Sequence, residues 1–136
     1  VALHLEIVTP RGSVVDIQAE EVVLPGLEGE FGVLDGHIPF LSALRPGVVR
    51  YTDQRGTHRL AIGTGFSEVG AGDRVSVLTD EHALPDQIDL DQTRAELAEL
   101  EGRLKAWTGE LTGEHKELQE RAQWAQARID TLEGGD

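Results

Sequence analysis

Residues 28–47 read Glu28-Gly-Glu-Phe-Gly-Val-Leu-Asp-Gly-His-Ile-Pro-Phe-Leu-Ser-Ala-Leu-Arg-Pro-Gly47, with four glycines and two prolines in the stretch. Glycine opens backbone angles closed to other residues, and proline removes a hydrogen-bond donor from a sheet ladder. The apolar pieces between them, Phe31–Leu34 and Ile38–Leu44, are too broken for a helix. The stretch therefore reads as a small strand, two turns and a second small strand: a shaped loop system on a β domain.

The flanking sequence repeats the pattern. Leu3, Leu5 and Ile7 alternate with His4 and Glu6, the signature of a half-buried strand. Thr9-Pro-Arg-Gly12 turns the chain, Val14, Val15 and Ile17 form a second strand, and Glu21–Leu24 a third, closed by Pro25-Gly26. Beyond residue 47, the stretches Gly47–Thr52 and Thr57–Ile62 flank a hairpin turn at Asp53-Gln-Arg-Gly56. Phe66–Val69 and Arg74–Leu78 flank another at Gly70-Ala-Gly-Asp73. Eight to ten short strands with no helix long enough for a crossover predict an antiparallel β-sandwich or flattened barrel.

The texture changes at Asp80–Gln87, where glycine disappears and Pro85 punctuates the chain. Asp89 followed by Gln92 resembles a capping box opening a helix. Leu90, Leu97 and Leu104, with Thr93, Leu100 and Trp107, make a heptad-like apolar seam. Thr108–Gly113 breaks it. A second seam follows, with Leu118, Ala125 and Leu132 seven apart and Ala122 and Ile129 between them. The expected class is α+β: a β-sandwich over residues 1–86, then an antiparallel helical hairpin over 87–136. Alanine fills much of the second seam, so the hairpin is expected to be loosely held.

Composition narrows the function. The net charge is −13, with 13 acidic and 6 basic side chains in residues 1–86 and 12 and 6 in residues 87–136. That argues against nucleic acid and against anionic lipid surfaces, both of which need clustered Lys and Arg. There is no cysteine, as in proteins of a reducing compartment. No apolar run approaches the ~20 residues that span a bilayer, and the start at Val1 has no basic-then-apolar leader pattern.

No catalytic constellation emerges. His4, His37, His58, His82 and His115 are scattered, without metal-ligand spacing. The serines have no nucleophile-elbow context, and Gly63-Thr-Gly-Phe-Ser67 lacks the Lys-bearing helix of a phosphate loop. Glu28 and Glu30 read as solvated turn carboxylates rather than an acid–base pair. Asp91 and Arg94 share a face of the first helical turn, either as helix-end electrostatics or as part of an anion site.

Taken together, Gly29-Glu-Phe-Gly-Val-Leu-Asp-Gly-His-Ile-Pro-Phe-Leu41, Leu44-Arg-Pro-Gly-Val48, Gly65-Phe-Ser-Glu-Val69, Val77-Leu-Thr-Asp80 and Leu90-Asp-x-x-Arg-Ala95 resemble the epsilon subunit of the bacterial F-type ATP synthase over the whole chain. The resemblance implies a non-catalytic rotor subunit of the central stalk. Its sandwich would bind the gamma subunit and the c ring, on the cytoplasmic face of the bacterial inner membrane. Glu28, Gly29, Glu30, Phe31, Gly32 and His37 would form the contact loop, with Glu30 as the ring-contacting carboxylate. The hairpin would lie folded or extend towards the alpha and beta subunits and inhibit hydrolysis. In some members the folded hairpin binds ATP, to which Asp91, Arg94 and Arg128 would correspond; no other cofactor is implied. Asp35 stands where the family usually has Pro, and Glu101 and Trp124 stand where arginines would complete the ATP site. The net negative charge of residues 87–136 opposes docking on acidic catalytic subunits. The rival reading is a free-standing nucleotide-sensing module, and a small enzyme is a distant third.

Overall fold

A computed structural model describes residues 2–36 and 38–134. Ten strands come first: β1 (Leu3–Thr9), β2 (Gly12–Ala19), β3 (Glu21–Gly26), β4 (Gly29–Val33), β5 (Phe40–Leu44), β6 (Gly47–Asp53), β7 (Gly56–Ile62), β8 (Gly65–Gly70), β9 (Arg74–Thr79) and β10 (His82–Ala83). A short 3₁₀ turn at Pro85–Gln87 leads to helices α1 (Leu90–Lys105) and α2 (Gly113–Glu133). The strands make one curled sheet in the order β10-β7-β6-β3-β5-β8-β9-β1-β2, with β4 paired to β3.

The alternation read along the chain is the alternation that is buried. In β1, Leu3, Leu5, Ile7 and Thr9 point inward while the residues between them are partly exposed. Leu3, Leu5 and Ile7 meet Val22, Leu24, Val33, Leu44, Val49, Leu60, Ile62, Val69, Val75 and Val77 in one aliphatic core. Fully burying such a side chain is worth about 1.5–3 kcal/mol, so this layer dominates the stability of the sheet. The expected hairpin turn between β6 and β7 is present and is locked by Asp53. Its Oδ1 accepts from the Arg55 N–H at 2.8 Å and from His58 Nε2 at 2.9 Å. The His58 bond, then the Arg55 N–H, hold the Asp53 carboxyl below its ordinary range.

Two features differ from the sequence expectation. Pro25-Gly26 does not close β3 but continues it. Pro25 pairs with Glu30 across the hairpin, and its carbonyl accepts from the Arg45 N–H at 3.0 Å. And one pairing in the sheet is parallel: β1 runs alongside β9, from His4↔Arg74 to Val8↔Leu78. The whole intervening sheet serves as the crossover that a helix usually supplies.

Asp89 caps α1 by accepting from the Gln92 N–H at 3.1 Å. Leu100 of α1 and Leu118, Ala125 and Ile129 of α2 are buried in the hairpin, as its periodicity predicts. Leu132 is not; it is 38% exposed. Its expected place is taken by a second buried stripe on α2, Ala127 and Thr131, because this helix also lies across β6 and β7. Ala127 packs with Ala61 of β7 and Ala83 of β10, flanked by Ile88 and Trp124. The buried threonines satisfy their own hydroxyls within the helix: Thr93 donates to the Asp89 carbonyl at 2.7 Å and Thr131 to the Ala127 carbonyl at 2.8 Å.

Candidate functional surfaces

The loop system of residues 28–47 separates into two places. β3 and β4 form a tight hairpin whose Gly26↔Gly29 pair leaves only Leu27 and Glu28 at the tip. Gly29 sits at φ +140°, an angle open only to glycine. Glu30, Phe31 and Gly32 lie beyond the turn, on strand β4 itself. This corrects the reading of Glu30 as a turn residue: glycines on either side of it gave the appearance of a turn, but the turn is made two residues earlier, at Leu27-Glu28. Glu30 is exposed, and its Oε1 lies 3.6 Å from Arg50 Nη2. Phe31 faces the other way. Its ring packs at the edge of the core, 5.6 Å from Phe40 in a T-shaped contact, over a space that a side chain on Gly26 would fill. It packs against the core while staying partly exposed.

The second place is the segment after β4. It lies at the far end of that five-residue strand from the Leu27-Glu28 tip, roughly 13 Å away at the usual strand rise. The Gly36 N–H donates to Asp73 Oδ1 at 2.7 Å, which ties this segment to the β8–β9 turn. His37, placed by the sequence reading in the contact loop, lies outside the described residues.

The sequence reading missed a third surface. On the outer face of the sheet, Ala43 (β5) pairs with Phe66 (β8), Phe66 with Leu78 (β9), and Leu78 with Val8 (β1). The result is an apolar row running across four strands. Phe66 is 56% and Leu78 54% exposed, and Leu41, one step along β5 on the same face, is 71% exposed. Beside it runs a polar row, Glu68, Ser76 and Glu6. A contiguous apolar strip on the surface of so acidic a protein is a candidate contact for another molecule. The available signal was Val77-Leu78: two adjacent large aliphatics in a strand cannot both face the core.

The three residues assigned to nucleotide do not converge on an open site. Asp91 is exposed in the first turn of α1. Arg94 donates to Glu133 at the far end of α2. Arg128, 17% exposed, donates to Glu96 Oε2 at 2.7 Å and lies 5.1 Å over the Trp124 ring. Glu81 completes this seam. Burial pushes its carboxyl up, Asp80 and Glu96 add to the rise, and Arg128 opposes it. The chain's own carboxylates thus hold Arg94 and Arg128.

Comparison with known proteins agrees with this architecture. Residues 2–85 match the family model described as the ATP synthase Delta/Epsilon chain, beta-sandwich domain. The chain is 39% identical over 128 residues to the ATP synthase epsilon chain of Anaeromyxobacter dehalogenans (strain 2CP-C), covering 94% of this chain and 96% of that relative. Among solved structures, it is similar to a chain of the Euglena gracilis mitochondrial ATP synthase (TM-score 0.80, 19% identity, 93% of this chain and 78% of that one). A second similar chain belongs to the central stalk and c ring of the Tetrahymena thermophila enzyme (TM-score 0.59, 11% identity, 93% and 96%). The structural likeness bears on the fold, and the sequence likeness on the family.

Proposed function

We propose a role that proceeds from one premise: this chain belongs to the family of ATP synthase epsilon chains. As a subunit of that enzyme it sits on a membrane-associated complex. Among the described residues no helix is long and apolar enough to cross a membrane. On our reading it is a rotor subunit of the central stalk with no active site of its own, held on the cytoplasmic face of a bacterial inner membrane. Residues 1–86 link the gamma subunit to the c ring, and residues 87–136 are a hairpin that regulates hydrolysis, reaching the alpha and beta subunits when extended.

The observation that carries this reading is the exposed apolar row Ala43–Phe66–Leu78–Val8. A subunit that transmits torque needs a wide, persistent contact rather than a pocket, and apolar area at the centre of an interface supplies that persistence. We assign this row to gamma. The Leu27-Glu28 tip and Glu30 on β4 are assigned to the polar loops of the c ring. Replacing Phe66 with Asp leaves the core untouched, because the side chain already faces solvent. Co-purification of the gamma subunit with tagged protein should fall at least about tenfold, the scale of one central interface anchor. Undiminished recovery of gamma would reject the assignment. Glu30→Lys should keep assembly intact and lower proton pumping per ATP hydrolysed in membranes; an unchanged ratio would remove Glu30 from the ring contact.

The rival, a free-standing nucleotide sensor, gains nothing from the geometry. Arg94 and Arg128 are each engaged by a carboxylate, and a nucleotide would have to displace Glu133 and Glu96.

A further inference from the structure

The polar row beside the apolar one extends further than Glu68, Ser76 and Glu6. One step along the strands from the apolar row, roughly 7 Å away at the usual rise, Asp16 pairs with Glu6, Glu6 with Ser76, Ser76 with Glu68 and Glu68 with Leu41. The row thus carries carboxylates from β2, β1 and β8. Those of β2 and β1 are balanced within the chain. His4 Nε2 is bonded to Asp16, Arg74 Nη2 lies 3.5 Å from Glu6, and Arg74 Nη1 lies 3.3 Å from His4 Nδ1. His4 and Arg74 face each other one further step along and serve the β1–β2 end of the row.

Glu68 is not balanced. It is exposed, and among the described residues it has no ion pair and no side-chain hydrogen bond. None of its neighbours on this face is a cation: Leu41 lies across on β5, Ser76 across on β9, and Phe66 two residues back on its own strand. Arg74 pairs with Gly70 and is engaged by Glu6 and His4. Water solvates the carboxylate in the free chain. Phe66 and Leu41, both largely exposed, stand on two sides of it, so a surface broad enough to cover both also covers Glu68. A carboxylate taken out of water without a counter-charge is strongly unfavourable. The covering surface has to supply that charge.

We propose that Glu68 is the charged anchor of this face, and that the partner seated on Phe66 and Leu78 presents an arginine or lysine to it. This pairing rests on the assignment of the apolar row to gamma, and it specifies the chemistry of the matching patch: an apolar ridge with a basic side chain on the flank that meets Glu68. Apolar contact is non-directional, so the row alone leaves the partner free to slide along it. An ion pair at one point fixes the register. Glu68 is thus a specificity-determining residue of the contact, while Phe66 and Leu78 supply its area.

The test is binding of the full chain to purified gamma subunit between about 50 and 500 mM sodium chloride, a range over which exposed charges become screened. Glu68→Gln should weaken binding about tenfold and flatten its dependence on salt, as loss of a charge-assisted pair does. Glu68→Lys, which sets like charges against each other, should weaken it at least about a hundredfold. Neither change should move the urea midpoint of the free chain, because the side chain faces solvent. Asp16→Asn lies three strands away, roughly 14 Å, and should alter binding less than about twofold. Phe66→Asp is run beside them. If it weakens binding while Glu68→Gln binds like the parent with the same salt dependence, the row is the contact but Glu68 is not its anchor. An effect of Asp16→Asn as large as that of Glu68→Gln would replace a local pair with a general attraction and also overturn the inference. If Phe66→Asp binds like the parent, the assignment of the row itself fails, and the anchor with it.

Discussion

The sheet and the hairpin of this protein are built from different materials. The sheet buries a continuous layer of Leu, Ile and Val from nearly every strand. The hairpin's seat on the sheet is three alanines, with Ile88 and Trp124 at their margin, and its two helices are joined to each other by ion pairs, Arg128 with Glu96 and Arg94 with Glu133. A buried methyl is worth about 0.8 kcal/mol against about 1.5–3 kcal/mol for a full aliphatic side chain. Exposed ion pairs add about 0–1 kcal/mol each. The comparison teaches that one chain joins a platform packed with large aliphatic side chains to a hairpin seated on small ones, and that residue size at the contact sets how much each contact is worth.

The comparison breaks most sharply in the sheet. Leu60→Ala, at a fully buried position of β7, should cost about 2–5 kcal/mol in urea unfolding of the sheet followed by far-ultraviolet circular dichroism. A cost below about 1 kcal/mol would mean that the aliphatic layer is not what holds the platform.

The contact between the parts comes next. Ala127→Lys sets a charge against Ala61 and Ala83 without touching the aliphatic core. Amides of Gly113–Glu133 should exchange at least about tenfold faster while those of β1, β3 and β9 are unchanged. Equal acceleration in both parts would show that they unfold as one unit.

The smallest effect is electrostatic. Glu81 has a raised carboxyl in the folded chain, so the folded state holds this proton more tightly than the unfolded one. Its charged form is a penalty at neutral pH, and that penalty fades as pH falls through the raised value towards 4.5, its ordinary one. Glu81→Gln should stabilise the protein at neutral pH by less than about 1 kcal/mol, since the side chain keeps solvent contact and is screened. The gain over the parent should shrink on acidification. A gain that is constant with pH, or a loss at neutral pH, would take Glu81 out of the seam.

Local pattern carried most of the fold. Alternation along Leu3–Ile7 and Arg74–Leu78, and the heptads of Leu100 and Leu118, gave the strands and the hairpin because each is a statement about near neighbours. The parallel pairing of β1 with β9 joins segments some seventy residues apart, and no local period encodes it. Leu132 was misplaced for a related reason: a leucine outweighs an alanine in any periodicity, yet Ala127 is the residue small enough to let α2 approach β7. At the candidate surfaces, Glu28 and Glu30 were visible as residues, but their placement on a tip and on a strand depended on Gly26, just outside the glycine-rich stretch. The apolar row was out of reach because its members come from four strands and meet only through cross-strand register.

The most direct measurement is native-state hydrogen exchange on the unmodified chain. Amides of Leu90–Lys105 and Gly113–Glu133 should exchange through an opening of lower free energy than the one that exposes β1, β3 and β9. Helical amides that exchange as slowly as the sheet, with the same dependence on denaturant, would contradict it.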